Sequence, residues 1–247
     1  MAESRESPLR TELPDFNLPI CGGEPLAPQI AAHFEQVFGQ PLLEGYGLTE
    51  GSPVVSLSLP WARKAGTVGV PLPNLRVRIV DPAGNDCPMG ESGEVVVYGP
   101  TVMLGYYRRP DETRAAIGPD GGLRTGDLGS LGSDGFLTLR GRIKDLIIVA
   151  GENVWPGEVE QVLNAHPQVG QSAVIGLPDG VRGEMVAAFV SPADPTSPPN
   201  VADLRNFCRE RLAACKVPRR LEILAEMPLG PTGKVLKREL RRMAKSC

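Results

Sequence analysis

The hydrophobic pattern of the chain changes twice between its two ends. In the first segment, short apolar runs at residues 18–21 and 41–47 flank a stretch, 28–38, in which apolar residues recur at helical spacing. The runs predict buried strands, and the spacing predicts an amphipathic helix that begins at a proline and ends before a glycine. Its apolar positions are Ile30, Phe34, Val37 and Phe38. The order predicts a β-α-β unit over residues 18–60, a fragment of a layered α/β arrangement.

Between residues 66 and 140, short runs alternate apolar with polar positions, and glycine and proline separate them. This alternation is typical of strands with one buried face. The predicted strands are residues 75–80, 93–98 and 136–139, and the predicted turns are residues 81–84 and 133–135. The pattern predicts a small antiparallel β-barrel, which together with the β-α-β unit forms a larger domain over residues 1–143.

The third segment mixes strand-like and helix-like patterns and predicts a small α+β domain over residues 144–247. The predicted strands are residues 146–149, 172–176, 185–190 and 221–224. Helices are predicted at residues 157–165, 202–213 and 234–245, and a proline- and serine-rich surface loop at residues 191–200.

Residues 141–160 join the second segment to the third. A polar, flexible stretch at residues 140–142 follows a predicted strand. After it come an apolar run, a glycine turn and Pro156, which begins a predicted helix. A joint with charged groups between two domains predicts a hinge. An ordinary linker followed by a βα unit is the alternative that this segment alone leaves open.

Composition narrows the class of protein. The chain has 247 residues, of which 41% are hydrophobic and 22% charged, with a net charge of −3. These values are ordinary for a globular protein, and no basic face suggests nucleic acid as a partner. No apolar run approaches membrane-spanning length, and the polar residues 1–10 do not resemble a signal peptide, so we expect a cytoplasmic protein.

The five cysteines are widely spaced and odd in number, with no Cys-x-x-Cys pair and only two histidines in the chain. This spacing argues against a zinc site or a disulfide framework, and free thiols suit a reducing compartment. Cys208 and Cys215 are seven positions apart, so we expect both on one helix face as small core residues.

Two glycine-containing loops in the first segment suggest a ligand site. Residues 22–24, Gly-Gly-Glu, follow a strand and precede a helix, where backbone can approach a flat ligand closely, although these residues taken alone favour a plain strand-helix turn. In residues 45–50, the ring of Tyr46 can stack on a base, the hydroxyl of Thr49 can bind phosphate, and Glu50 can hold Mg²⁺.

Two further loops carry charged residues that could bind a ligand. Asp127 lies in residues 124–129, Arg-Thr-Gly-Asp-Leu-Gly, which we expect to form a tight turn between strands; its carboxylate can accept two ribose hydroxyls or simply close an Asx-turn. Lys234 ends residues 230–234, Gly-Pro-Thr-Gly-Lys, whose spacing differs from a Walker A loop. A lysine in such a loop can act as a mobile point charge for phosphate or carboxylate.

Four of these stretches together resemble a known family. They are residues 46–50 (YGLTE), 124–129 (RTGDLG), 141–160 (GRIKDLIIVAGENVWPGEVE) and 231–240 (PTGKVLKREL). In this order they resemble the motifs of the AMP-forming acyl-CoA synthetases, relatives of firefly luciferase and of nonribosomal peptide adenylation domains. The resemblance extends over residues 18–240.

The resemblance implies an ATP-dependent carboxylate–CoA ligase. In the family, a carboxylate attacks the α-phosphate of ATP to give an acyl-adenylate and pyrophosphate, and CoA then displaces AMP. By motif, the residues implied at the adenine and ribose are Gly22, Gly23, Glu24, Tyr46, Gly47, Asp127 and Arg142. Its small-molecule partners are therefore a carboxylic acid, ATP and CoA.

The resemblance also implies catalytic and hinge residues. Thr49 matches a phosphate contact, and Glu50 matches the Mg²⁺ ligand. Lys144 matches the hinge, and Lys234 matches the lysine that steadies the α-phosphate and the substrate carboxylate. The turn that borders the pantetheine tunnel of CoA matches Gly151, Glu152 and Asn153.

The chain departs from the family pattern in two places. Family members are much longer at the N-terminus, and no Ser/Thr/Gly-rich phosphate loop precedes Gly22. Residues 121–123 also lack the aromatic residue that commonly precedes the RTGD motif. We therefore expect these 247 residues to adenylate weakly or not at all by themselves. The alternatives are a partial synthetase, one half of a split synthetase, and a nucleotide-binding remnant or interaction module. An unpaired strand edge should favour self-association or a partner that supplies the missing half.

Overall fold

The computed structural model describes residues 17–231 and 233–245. It divides the chain into two compact units, unit 1 (Met1–Leu139) and unit 2 (Arg140–Cys247). The division falls a few residues before the boundary predicted at residue 143. The described residues contain thirteen strands and five α-helices. No helix in this described part is long and apolar enough to cross a membrane.

Unit 1 begins with a four-stranded sheet in the order β1-β2-β3-β4. Its elements are β1 (Ile20–Gly22), helix α1 (Pro28–Phe38), β2 (Leu43–Gly47), β3 (Val54–Leu57) and β4 (Val70–Pro71). Strand β1 is parallel to β2, and the other pairs are antiparallel. Helix α1 has proline in its first turn and ends at Gly39, whose φ of 67° places it in the left-handed region. The predicted β-α-β unit is confirmed, whereas β3 and β4 were not predicted.

One surface of this sheet region is apolar and open. Strand β1 lies at the edge of the sheet among the described residues, and α1 has no buried residue. Leu18, Ile20 and Ile30 are all exposed. The exposed apolar surface expected beside the β-α-β unit is therefore present. The predicted loose start at residues 1–17 lies, apart from residue 17, outside the described residues.

The second sheet of unit 1 has the order β5-β6-β7-β8, its β5–β6 and β6–β7 pairs are antiparallel, and its last strand continues past Leu139 into the residues of unit 2. Its elements are β5 (Arg76–Val80), β6 (Gly93–Tyr98), helix α2 (Pro110–Ala116), β7 (Leu123–Leu131) and β8 (Leu137–Arg142). Alternate residues of the strands, such as Val77, Ile79, Val95 and Val97, enter one core that also holds Tyr46 and Val55 from the first sheet. The predicted antiparallel strands are confirmed; α2 and β7 were not predicted.

The Arg-Thr-Gly-Asp motif lies inside strand β7, so the prediction of a tight turn between strands was wrong. The strand tolerates the motif because it is irregular there. Gly126 has a φ of 69°, and the β6–β7 register shifts between Glu94 and Val96. A bulge of this kind re-aims a side chain without ending the strand, and here the side chain concerned is that of Asp127.

Unit 2 is a five-stranded sheet with helices on both faces. Its elements are β9 (Ile147–Val149), β10 (Glu152–Val154), α3 (Pro156–Asn164), β11 (Val169–Asp179), β12 (Gly183–Pro192), α4 (Val201–Arg209), β13 (Arg220–Ile223) and α5 (Lys237–Lys245). The order is β10-β9-β12-β11, and β13 pairs in parallel with β12. Along β12, Val186, Ala188 and Val190 enter the core under α3 and α4, whereas Ala187 and Phe189 enter the core under α5. The α+β prediction is confirmed.

Two predicted helices of unit 2 are shorter than expected. Helix α4 starts after Asn200, whose side chain accepts the Ala202 amide at 2.7 Å, and ends at Arg209 instead of residue 213. Cys208 is buried on it, and burial raises the pKa of its thiol to about 11. Cys215 packs against the same core from a separate 3₁₀ turn, so the expectation that one helix carries both cysteines was wrong.

The last helix, α5, begins at Lys237 instead of residue 234. Leu229 and Val235 form an isolated antiparallel bridge, and the Leu236 amide donates to the Pro228 carbonyl at 2.8 Å. These backbone bonds pair residues 228 and 229 with residues 235 and 236, which prevents the helix from starting earlier. Lys234 therefore lies on a loop.

The turn between β11 and β12 predicts an acid-sensitive contribution to stability. Asp179 accepts the amides of Val181 at 3.1 Å and Arg182 at 3.4 Å and pairs with Arg219. The Val181 amide is the main cause that holds the pKa of Asp179 below its ordinary value, against opposing desolvation, with Arg182 and Arg219 adding to it. A lowered folded-state pKa stabilises the fold above the ordinary carboxyl pKa, and this contribution is lost as the pH falls through the folded-state value.

We therefore expect Asp179→Asn to lower the free energy of unfolding at neutral pH and to lose that deficit on acidification. Urea unfolding of wild type and variant between about pH 7 and pH 3 measures the difference. The difference should begin to shrink below about pH 4 and vanish only once the pH has fallen below the lowered folded-state pKa of Asp179. A difference that stays constant over the whole range would show that Asp179 does not titrate as its contacts indicate.

Candidate functional site

Two glycine loops lie side by side at the carboxyl ends of the parallel strands β1 and β2. Gly22 and Gly45 are register partners, and a Cβ on Gly22 would lie 2.8 Å from the Gly45 carbonyl oxygen. Gly23, with a φ of 92°, then turns the chain, and Glu24 is exposed. The structure thus brings the predicted loop at residues 22–24 next to the strand that carries Tyr46. Carboxyl ends of parallel strands are where α/β sheets commonly bind ligands.

Tyr46 and Asp127 are in direct contact. The Tyr46 hydroxyl donates to Asp127 Oδ2 at 2.6 Å, which joins the end of β2 to the irregular part of β7. Each residue is only 7% exposed, and the Tyr46 ring belongs to the core of unit 1. The sequence predicted both residues but not their contact. Stacking of Tyr46 on a base stays a prediction, and any base must use the small exposed part of the ring.

Gly47 occupies a position where no side chain fits. A Cβ there would lie 1.6 Å from the Pro53 carbonyl oxygen and 2.9 Å from the Val54 Cα. Real Cβ atoms do not approach backbone so closely, and the β2–β3 register shifts at this point. The glycine lets the chain fold back from β2 towards β3 and thereby sets the position of Thr49 and Glu50.

Thr49 and Glu50 form the start of a 3₁₀ turn just after β2. Thr49 is exposed, and Glu50 is partly buried. Glu50 Oε1 accepts the hydroxyl of Tyr106 at 2.7 Å, and the Glu50 carbonyl accepts the Met103 amide at 2.9 Å. The hydrogen bond to Glu50, followed by burial, raises the pKa of Tyr106.

Tyr106 was not among the site residues predicted from the sequence. The signal was nonetheless present, because Gly105-Tyr106 repeats the glycine-aromatic pair that drew attention to Tyr46. Tyr106 also helps to line an open cavity of about 580 Å³ against helix α2, together with Arg109, Glu112, Ala115 and Ala116.

Glu50 fits the role of a single Mg²⁺ ligand. Mg²⁺ is usually held by one or two carboxylates plus substrate phosphates, without a full cage of protein ligands. No group of three acidic, histidine or cysteine side chains among the described residues could hold a metal. Glu50 Oε1 accepts a hydrogen bond from the Tyr106 hydroxyl, whereas Oε2 has no hydrogen-bond partner among the described residues. One carboxylate oxygen is thus left for a metal that brings its other ligands with it.

Asp127 is supported by neighbours that the sequence did not single out. Thr125 Oγ1 accepts the Asp127 amide at 3.1 Å and donates to the Val95 carbonyl at 2.8 Å. Glu94 Oε1 accepts the Gly126 amide at 3.2 Å. These bonds satisfy the backbone of the irregular stretch, so the position of the Asp127 carboxylate is determined by β6 as well as by β7.

The structure explains the missing aromatic residue at residues 121–123. A Cβ on Gly122 would lie 2.6 Å from Cζ of Tyr98, a residue of the neighbouring strand β6. The Tyr98 hydroxyl donates to Asp120 Oδ2 at 2.7 Å and accepts Arg78 Nη1 at 2.9 Å. The ring of Tyr98 therefore fills the space in front of Gly122, and this departure does not leave a gap in the sheet.

In unit 2, the predicted hinge residue lies in a short 3₁₀ turn after β8. Arg142 ends β8, and Lys144 is exposed within the turn Ile143–Asp145. The next residue, Asp145, accepts Arg241 Nη2 of helix α5 at 3.2 Å. The chain immediately after Lys144 is therefore attached to the last helix of unit 2. The hinge role of Lys144 stays a prediction.

The predicted CoA-facing turn lies between β9 and β10. Ala150 and Gly151 have φ values of 52° and 86°, and the Ala150 amide donates to the Arg182 carbonyl at 2.8 Å. Glu152 and Asn153 follow on β10 and are exposed. The turn is thus held by the β11–β12 hairpin and leaves its side chains open to solvent.

Lys234 is exposed at the end of the loop that precedes α5. The Gly230 amide donates to the Lys234 carbonyl at 2.8 Å, which closes the loop. At the other end, Lys237 forms an ion pair at 2.8 Å with Glu160 of α3. The backbone on both sides of Lys234 is therefore held by these contacts, while its ammonium group is exposed.

The predicted site residues are divided between the two units. Unit 1 carries the residues expected at the adenine and the metal, and Asp127 of those expected at the ribose, and it brings the Gly22 loop, Tyr46 and Asp127 together. Unit 2 carries Arg142 and Lys234, together with the hinge and the CoA-facing turn.

Two families of known domains match the chain. Residues 2–107 match the AMP-binding enzyme family, and residues 158–234 match the AMP-binding enzyme C-terminal domain. The matches cover most of the chain and fall in unit 1 and unit 2 respectively.

Similar proteins and structures agree with these matches. A long-chain-fatty-acid–CoA ligase of Yersinia pestis is 45% identical over 228 residues, which is 92% of this chain and 40% of the relative. A feruloyl-CoA synthase of an Amycolatopsis species is 41% identical over 90% of this chain and 45% of the relative. The crystal structure of ATP-bound MatB from Rhodopseudomonas palustris superposes with a TM-score of 0.87 at 35% identity, over 92% of this chain and 45% of that one. The chain thus spans less than half the length of these relatives.

Proposed function

Because the chain belongs to the superfamily of adenylate-forming enzymes, we propose that it provides the nucleotide-binding and hinge portion of an ATP-dependent carboxylate–CoA ligase. The observation that carries this proposal is the contact between Tyr46 and Asp127, which places two nucleotide-binding candidates from distant motifs at one point. The curated relatives named for acyl-CoA synthesis support the same reaction class.

The proposed reaction has two steps. A carboxylate oxygen attacks the α-phosphorus of ATP, an O–P bond forms, and the bond to the β-phosphate breaks to release pyrophosphate. The sulfur of CoA, after losing its proton, then attacks the acyl carbon, and AMP leaves as the acyl–oxygen bond breaks. Attack by a carboxylate on a polyanion is opposed by like charge, so fixed cationic groups near the reacting oxygens should lower the barrier.

In unit 1, the chain's own residues bind and orient the nucleotide. The glycine backbone at residues 22–23 lets adenine approach the sheet closely, and Asp127 accepts the ribose hydroxyls. Thr49 is exposed just past the end of β2, where its hydroxyl can donate to phosphate. Mg²⁺, held by Glu50 and the phosphates, would neutralise charge on ATP when bound.

In unit 2, Lys234 supplies a positive charge for the adenylation step. It is exposed on a loop with two fixed ends, so the ammonium group can approach a ligand without unfolding its surroundings. Two dissimilar steps at one nucleotide require different groups in turn, and rotation about Lys144 would exchange Lys234 for the turn that begins at Gly151. Arg142 would contact the ribose from this unit.

The substrate acid that we propose to test first is a long-chain fatty acid, because the relatives named for such acids match over 92–93% of this chain. Ferulate is the second, because feruloyl-CoA synthases match over 90% of it. A cytoplasmic location is also part of the proposal, and the four cysteines among the described residues, which are all free thiols, support it because a reducing compartment preserves thiols.

The proposal includes a contribution from another segment or another polypeptide, because the chain spans about 40% of the relative with which it shares 45% identity. The exposed apolar residues of β1 and α1 are a suitable contact surface for such a segment. A nucleotide-binding remnant without catalytic activity is the alternative, and the experiment below separates the two.

Nucleotide binding by these 247 residues is the direct test. We expect calorimetric titration to show that AMP binds, that GMP binds more weakly, and that palmitate-dependent exchange of pyrophosphate into ATP is weak. Adding a fragment with the portion of the Yersinia pestis relative that this chain does not match should restore exchange if the two parts form one site. AMP binding without restored exchange would support the remnant instead.

Two results would contradict these expectations. Failure of both AMP and ATP to bind would remove the nucleotide site. Exchange at a rate typical of complete enzymes, about 1 s⁻¹ or faster, by the 247 residues alone would show that no further portion is needed.

A further inference from the structure

We infer that Tyr106 is a positioning residue for Glu50: its hydroxyl holds one carboxylate oxygen so that the other is presented to the metal of a bound magnesium–nucleotide. This inference rests on the proposed nucleotide-binding function. It concerns a residue outside every motif that suggested that function.

The geometry at Glu50 separates its two carboxylate oxygens. Oε1 accepts the Tyr106 hydroxyl at 2.7 Å, a normal length for such a bond. Among the described residues, no donor reaches Oε2. The backbone of Glu50 is held as well, because its carbonyl accepts the Met103 amide at 2.9 Å. The backbone and the side chain of Glu50 are therefore both restrained by residues 103–106.

Tyr106 is in turn attached to helix α2. Its amide donates to Thr113 Oγ1 at 2.9 Å, and its carbonyl accepts the Arg109 amide at 3.1 Å. Thr113 Oγ1 donates to the Arg109 carbonyl at 2.8 Å. A Cβ on Gly105 would lie 2.7 Å from Thr113 Cγ2, so the chain passes close to the helix at this point. These contacts connect Glu50 to a helix that carries no predicted site residue.

The neighbouring Tyr107 differs from Tyr106 in its exposure and in its contacts. Tyr106 is 39% exposed, whereas Tyr107 is 83% exposed. The ring of Tyr107 lies against the guanidinium group of Arg108 at 5.1 Å and makes no contact with Glu50 that the structure describes. The two tyrosines therefore form a matched pair for experiment.

Restraining Glu50 before binding should strengthen metal-dependent binding in particular. A free glutamate side chain loses rotamer freedom when it ligates a metal, and a side chain that is already held loses less. The restraint should not affect a nucleotide that binds without metal. A purely structural role for Tyr106 would affect both forms of the nucleotide equally.

The test compares the binding of ATP with Mg²⁺ and of ATP in EDTA to the 247-residue chain. We expect Tyr106→Phe to weaken Mg²⁺–ATP binding about tenfold, equivalent to about 1.4 kcal/mol, and to change metal-free ATP binding less than twofold. Tyr107→Phe should change neither. In a Glu50→Gln background, Tyr106→Phe should have no further effect, because the carboxylate that it positions is absent.

Each outcome decides the inference. Equal weakening of both forms of ATP by Tyr106→Phe, or no weakening, overturns the positioning role and leaves the proposed function intact. A tenfold loss that persists in the Glu50→Gln background overturns it as well, because Tyr106 would then act elsewhere. If wild type binds neither form of ATP, the proposed function itself fails and the inference fails with it.

Discussion

Replacing Gly47 by alanine is expected to lower the stability of unit 1 by roughly 3 kcal/mol or more. The added Cβ would lie 1.6 Å from the Pro53 carbonyl oxygen and 2.9 Å from the Val54 Cα, and both atoms belong to backbone. A flexible side chain could move aside, but here β3 would have to shift away from β2. The sheet that carries the Gly22 loop and Tyr46 would then open next to the 3₁₀ turn that contains Thr49 and Glu50.

Hydrogen exchange measured by mass spectrometry provides the test, because it reports opening free energies for separate elements. Amides of β2 and β3 should exchange faster in Gly47→Ala, whereas those of unit 2 should not change. Gly180→Ala is the control, since a Cβ at Gly180 meets nothing within 4 Å. Protection of β2 equal to that of wild type would mean that the chain accommodates the methyl group and that the close approach is not essential.

Asp127→Asn is expected to weaken AMP binding by roughly 30-fold or more, about 2 kcal/mol. Asparagine retains one carbonyl oxygen, which can still accept the Tyr46 hydroxyl, so the contact between β2 and β7 should survive. What is lost is the charge and the second acceptor, which the proposed ribose contact requires. Hydrogen bonds to a charged acceptor are worth more than neutral ones, which is the reason for the large expected effect.

The measurement is a calorimetric comparison of AMP with 2′,3′-dideoxy-AMP, which lacks the ribose hydroxyls. Wild type should prefer AMP, and Asp127→Asn should bind the two nucleotides alike. Asp134→Asn is the control, because Asp134 is an exposed aspartate of unit 1 that pairs with Lys64 at 2.6 Å. A variant that keeps the full preference for AMP would show that Asp127 does not contact the ribose.

The order of helices and strands was largely predictable from the spacing of apolar residues. Spacing succeeded for α1 because its apolar residues recur with the period of a helix. It succeeded for β12 because a strand buried on both faces reads as a short continuous apolar run. It failed for β4, which is only two residues long, and for β7, whose glycines and charged residues resemble a turn. In β7 the backbone stays in the sheet because Thr125 and Glu94 satisfy the amides that the bulge leaves free.

The candidate site was predictable only as separate motifs. The glycine, aromatic and carboxylate residues near Tyr46 and Asp127 have recognisable chemistry, and their order along the chain matched a family. Their contact joins residues 81 positions apart and therefore depends on how the two sheets of unit 1 pack. Tyr106 was missed for the same reason, because its significance lies in a bond to Glu50, 56 positions earlier.

The sequence by itself determined the β-α-β start, the antiparallel middle, the α+β end and the chemical types available for nucleotide binding. These properties depend on local spacing, on glycine and proline, and on the functional groups of single side chains. Only the tertiary structure decided that Tyr46 donates to Asp127, that Tyr106 holds one oxygen of Glu50, and that Tyr98 fills the space beside Gly122. Such contacts depend on distances between elements that lie far apart in the chain, and local patterns carry no information about those distances.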